Sequence, residues 1–206
     1  MATTTAPERL WYTDEPAADR LLARDPLALL IGFTLDQQVT VQKAFTGPLE
    51  LERRLGGRLD AARIAAMDPA ELAELFRQRP ALHRFPGTMA ARVQALCAAL
   101  VRDYDGQPAR IWEEARDGRD LRARLLALPG IGEMKADTIV AVLAKRFRLE
   151  LPGLAAVLPD HPTLGDVDSS ASLARYQAGK RAYKAALRAG GSAAEAGAAA
   201  VEAEAD

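Results

Sequence analysis

The stretch from Leu125 to Leu143, LLALPGIGEMKADTIVAVL, constrains this chain more than any other. An apolar helical run ends at Leu128, where Pro129 blocks its continuation. Gly130 and Gly132 then permit a tight hairpin with positive backbone dihedrals, and a second apolar helical run begins at once. Two helices joined by so short a turn must pack closely. The second helix directs its first unpaired N–H groups, and the positive end of its dipole, into the hairpin. That geometry can hold a phosphate without a basic side chain. A plain Pro-Gly corner in a helical bundle would look the same over these few residues, so the rest of the chain has to decide.

Ala, Leu and Arg dominate a composition that is 49% hydrophobic but only 5% aromatic, and these are strong helix formers. Val and Ile are scattered rather than gathered into alternating runs, which predicts an all-α fold. No apolar run approaches the ~20 residues that span a bilayer, and Met1-Ala2-Thr3-Thr4-Thr5 carries no signal-peptide pattern. Cys97 is the single cysteine and lies on a helical pattern, so no disulfide framework is possible; a cytoplasmic setting follows. With two histidines and one cysteine, neither a zinc site nor an iron–sulfur cluster is expected. The net charge of −1 argues against a generic nucleic-acid binder, but its distribution is uneven. Arg119, Arg122, Arg124, Lys135, Lys145, Arg146 and Arg148 face only Asp120, Glu133 and Asp137 in their stretch, and 174–188 holds Arg175, Lys180, Arg181, Lys184 and Arg188 with no acid.

In chain order, residues 1–10 read as a loose leader and 15–23 as a short helix. Asp25-Pro26 is an N-cap followed by a first-turn proline, opening a helix that is apolar all round and ends in Asp36-Gln37-Gln38. A helix resumes at 39–45, Gly47-Pro48 breaks it, and 49–55 forms another. Further helices are predicted at 60–66, from Asp68-Pro69 to about 78, at 88–103, around Trp112, at 120–126, and at 171–188. The loop 80–87 carries His83, Arg84 and Phe85. One helical unit is expected over 1–190, one lobe formed by about 30–130 and the other by the N-terminal segment plus about 131–190, with a cleft between. The Ala-rich tail 191–206 reads as disordered or frayed.

Leu128-Pro129-Gly130-Ile131-Gly132, continued through Ala136 and Asp137, resembles the helix-hairpin-helix motif L-P-G-[IV]-G of the endonuclease III-like DNA glycosylase superfamily. The apolar helix ending in Gln37-Gln38 is similar to the family's second landmark. The resemblance covers roughly 25–188 and implies a two-lobed all-α fold and a duplex DNA partner carrying a damaged or mispaired base. It implies DNA contacts from Leu128, Pro129, Gly130, Ile131, Gly132, Met134 and Lys135, and a plug that fills the gap left by an extruded base at Gln38, beside Gln37. An amide suits that role because it both donates and accepts. A residue wedging into the duplex would come from the loop of His83, Arg84 and Phe85.

Breaking an N-glycosidic bond requires extrusion of the nucleotide and a carboxylate to stabilise the cationic sugar. The family's aspartate, about twenty residues past the second glycine, falls here on Pro152, so the candidates are Asp166 and then Asp168, both of which could equally be helix caps. Asp36 or Trp112 could lie near the base. The bifunctional members' lysine position is Met134; Lys135 sits about 100° further round the helix, so no lyase chemistry is expected. The resemblance therefore implies a monofunctional glycosylase acting as a monomer through an aspartate and water. It uses no cofactor beyond a monovalent cation at the hairpin. The alternative is a non-catalytic protein that binds distorted or damaged DNA.

Overall fold

A computed structural model describes residues 4–205. Among them are eleven α-helices, two 3₁₀ turns and no β-strand. The order is α1 (Pro16–Arg24), α2 (Pro26–Leu35), α3 (Val41–Leu55), α4 (Ala61–Ala66), α5 (Pro69–Arg77), α6 (Pro86–Tyr104), α7 (Arg110–Glu113), α8 (Gly118–Leu126), α9 (Glu133–Lys145), α10 (Ser170–Arg188) and α11 (Ala193–Ala205), with 3₁₀ turns at Leu154–Val157 and Leu164–Asp166. The helix starts obey their caps. Asp25 Oδ1 accepts from the N–H groups of Leu27 and Ala28 at 2.8 and 3.3 Å. Asp60, Asp68, Asp117 and Ser169 cap α4, α5, α8 and α10 in the same manner.

Helix α2 is the axis of the core. Every residue from Leu27 to Leu35 is buried, as an all-round apolar helix requires. It packs on α1, α3 and α6, while α4 and α5 cover α6. Helix α8 packs against α9, and both 3₁₀ turns lie on α9. A single apolar cluster runs through all of these, from Leu10 to Leu173.

Two expectations are corrected. Gly47-Pro48 does not end a helix: α3 runs through it. Val41, Ala44, Phe45, Pro48, Leu51 and Leu55 are all buried at helical spacing, so the apolar stripe stays in phase across the proline. Burying that stripe offsets the roughly 3 kcal/mol that an interior proline costs. The leader is not loose over its described part. Leu10 and Tyr12 are fully buried, the Tyr12 hydroxyl donates to Leu164 O at 2.8 Å, and the N–H groups of Tyr12 and Thr13 donate to Asp19 Oδ1. Burial pushes the Asp19 carboxyl upward, against those hydrogen bonds. Met1, Ala2 and Thr3 lie outside the described residues. In the tail, α11 packs on α10 across a Gly190-Gly191 turn, and Asp206 lies outside the described residues.

Candidate nucleic-acid interface

The hairpin forms as its sequence demands, with one change. Gly130 takes a left-handed φ of 81°, but Gly132 is ordinary extended backbone at φ −91°, ψ 179°, and is the N-cap of α9. It offers no side-chain cap to the first turn, so the N–H groups of Glu133 and Met134 are left for an outside acceptor. A Cβ on Gly132 would meet nothing within 4 Å, so what this glycine keeps clear is space outside the protein. Leu128 and Ile131 are buried and pin the hairpin to the core; only their backbones are available to DNA. Arg122 Nε pairs with Asp137 at 2.6 Å and ties α8 to α9.

Lys135 turns inward while Met134 turns out, 84% exposed. The Lys135 amine lies 3.4 Å from both Thr34 O and Gly130 O. It thereby bridges the last turn of α2 to the hairpin. Burial, with the Arg92 charge assisting and Asp36 opposing, lowers its pKa to about 8. Asp36, the C-cap of α2, is half-buried and close enough to act on that amine. No protein hydrogen bond to its carboxylate occurs among the described residues.

The Gln-Gln turn is built onto the same floor. Gln37 is held by its main chain and its side chain: its carbonyl accepts from His83 Nε2 at 2.8 Å, and its side-chain oxygen accepts from the Arg92 guanidinium. His83 Nδ1 accepts from Phe85 N–H at 3.0 Å, so the ring is the neutral tautomer with its proton on Nε2, and burial lowers its pKa. Gln38 is exposed with φ 55°, a conformation uncommon for a side chain with a Cβ.

His83, expected at the DNA surface, is instead 1% exposed and braces the Gln37 turn. Phe85 is the residue that protrudes, 43% exposed, with the exposed Arg84 guanidinium 4.8 Å over its ring. Trp112 is buried in the core. Arg92 and Lys43, which contribute positive charge around Lys135 and His83, were missed by the sequence reading. They come from α6 and α3, and no local pattern links them to the hairpin.

Asp166 and Asp168 sit elsewhere. Asp166 Oδ1 accepts from Lys145 Nζ at 2.6 Å, and Oδ2 accepts from Thr163 N and Oγ1 at 2.9 and 3.1 Å, forming a capping box. Burial would raise its pKa, but the Lys145 and Thr163 hydrogen bonds outweigh that and hold it low. Asp168 accepts from Ser172 and Ser169 at 3.0 and 3.2 Å. The turn carrying Asp166 lies beside Ala141 and Lys145, about 12–18 Å along α9 from the hairpin. Among the described residues no cluster of His, Cys, Asp and Glu could hold a metal ion. Cys97 is buried, its thiol pushed up to about 12 by that burial.

These features converge on one face: a capless helix N-terminus, an exposed glutamine, a protruding aromatic and a floor with a free carboxylate. The family model described as HhH-GPD superfamily base excision DNA repair protein matches residues 31–185. The chain belongs to this superfamily. The match takes in the Gln-Gln turn, the loop of Phe85 and the whole hairpin, so the face assembled above belongs to the HhH-GPD region of the chain. A search of the curated proteins finds no match. Membership brings base excision DNA repair, DNA binding and glycosylase activity in general. No helix among the described residues is long and apolar enough to cross a membrane.

Proposed function

We propose that this protein is a monofunctional DNA N-glycosylase that releases a damaged or mispaired base with Asp36 as its reacting carboxylate. The observation that carries this reading is the half-buried Asp36 carboxylate, free of protein hydrogen bonds, beside Lys135 at the junction of α2 and the hairpin. Hairpin N–H groups take a phosphate of the lesion strand. Phe85 opens the stack and Gln38 fills the vacated place. Asp36 stabilises the positive charge that develops on the sugar as the glycosidic bond breaks, and orients the attacking water. Lys135 has its amine engaged by Thr34 O and Gly130 O, which suits it to hold the floor rather than attack the sugar. In this reading Asp166 closes the capping box of its 3₁₀ turn, and Asp168 orients the Ser169 and Ser172 hydroxyls at the start of α10.

The non-catalytic binder is the second reading, favoured by the hydrogen bonds that already engage both aspartates near α10. One experiment separates them. The protein is incubated with duplexes carrying single lesions (uracil, hypoxanthine, 3-methyladenine, 8-oxoguanine, or adenine opposite 8-oxoguanine), with and without hot alkali. The expected result is strand breaks after alkali only, lost in Asp36→Asn while duplex binding persists. Breaks without alkali would sink the monofunctional reading. Full release by Asp36→Asn would remove the carboxylate assignment. Tight abasic-site binding with no release over the panel would establish the second reading.

A further inference from the structure

At the opposite end of α9 from the hairpin is a cavity of about 310 Å³ that the reading above does not use. Arg9, Lys145, Arg146 and Arg148 line it, with Thr5 and its neighbours, and no carboxylate does. The N-terminal segment forms one wall, fastened by Thr5 N–H donating to Phe147 O at 2.7 Å.

Two ordinary explanations account for only part of this cluster. Cations gather at helix C-termini because the dipole favours them, which covers Lys145 and Arg146 but not Arg9, which comes from the leader and stacks its guanidinium on the Trp11 ring at 3.3 Å with its charge unpaired. Ion pairing covers Lys145, which meets Asp166 at 2.6 Å, but among the described residues no carboxylate lies within ion-pair distance of Arg9, Arg146 or Arg148. One further observation points to a ligand: Arg146 Nε is buried with no hydrogen-bond partner, and leaving a buried donor unmet costs stability.

We infer that this cavity is a second phosphate-binding site, with Arg9, Arg146 and Arg148 as its ligating side chains. A phosphoryl group matches it chemically. Its oxygens accept from planar guanidinium forks two at a time, it supplies a counter-charge for Arg146, whose Nε finds no acceptor in the protein, and its charge relieves the repulsion among the clustered cations. The same chemistry is offered by a free phosphorylated small molecule and by the backbone of a nucleic-acid strand.

The test uses the full chain and two probes. First, melting temperature is compared in sodium pyrophosphate and in sodium chloride of equal ionic strength, for the wild type and for Arg146→Gln/Arg148→Gln. Second, the salt dependence of binding to an undamaged duplex is compared for the wild type, Arg9→Gln and Arg148→Gln. Arg148 is exposed, so its single variant guards against loss of folding in the double one, and unchanged far-UV dichroism confirms each fold. A pyrophosphate-specific rise in the wild type, absent from the variants, with unchanged duplex salt slopes assigns a small phosphoanion. Slopes shallower by about 0.9 for each lost contact assign a DNA phosphate. The inference is overturned if pyrophosphate does no more than chloride and the variants keep the wild-type slope. Loss of glycosylase activity with this site intact would bear only on the proposed function.

Discussion

At the scale of single residues, a rotation of about 100° along a helix decided which side chain lies under the hairpin. Met134 and Lys135 are adjacent, yet Met134 faces out and Lys135 lies under the hairpin against Thr34 O. Periodicity shows that two neighbours point differently; it does not say which of them meets α2, which arrives from a hundred residues earlier. The histidine and phenylalanine of the 80–87 loop teach the same lesson. Polarity would put His83 outside and Phe85 inside, but the His83 ring has two backbone partners and is buried, and the Phe85 ring protrudes beneath Arg84. The amine of Lys135 makes a measurable prediction. Its ordinary value of 10.5 is lowered to about 8 in the fold, so between these values the unfolded chain binds more protons than the native one. Stability contributed at this site therefore rises with pH from about 8 to 10.5 and is flat below. Urea unfolding at several pH values should show this rise in the wild type and its loss in Lys135→Met. Equal pH slopes in the two proteins would refute it.

At the scale of elements, capping and turn chemistry were legible because they are local. Asp25-Pro26, Asp68-Pro69 and the hairpin all form where their residues demand. The misread elements were those whose local signal lost to packing. Pro48 is a breaker by propensity but lies on an unbroken buried stripe, and Leu10 and Tyr12 fill the core from a segment without periodicity. The 3₁₀ turn carrying Asp166 approaches α9 through Gly165, where a Cβ would stand 2.6 Å from Ala141 O. Backbone on both sides cannot yield cheaply, so Gly165→Ala should destabilise the protein by about 1–3 kcal/mol, read as a lower urea midpoint. A midpoint equal to wild type would show that the turn is not seated on α9 as described. A second consequence concerns acid. Asp166 has a lowered pKa in the fold, so its contribution is present above the unfolded carboxylate range and lost as pH falls through the folded value. Asp166→Asn should flatten that part of the acid-unfolding curve.

At the scale of the whole molecule, net charge was a poor guide. Much of the basic run in 119–148 is neutralised within the fold, through Arg122–Asp137, Arg124–Asp120 and Lys145–Asp166. The face formed by the hairpin and the Gln-Gln turn draws positive charge partly from Lys43, Arg84 and Arg92. Duplex binding should therefore weaken steeply with salt despite a net charge of −1, with a slope of about −0.9 for each phosphate neutralised. A salt-independent affinity would contradict a phosphate-gripping face. Gly130→Ala forces a left-handed residue that costs roughly 1–2 kcal/mol, and it should reduce duplex affinity. The sequence by itself determined the helices, their caps, the hairpin and hence the family, because each of these is set by interactions within a few residues. Only the tertiary structure decided which carboxylate shares the floor with Lys135, which loop residue protrudes and which partners Asp166 and Asp168 meet. Those outcomes depend on which distant elements pack together, and a side chain's burial and partners come from that packing rather than from its neighbours in the chain.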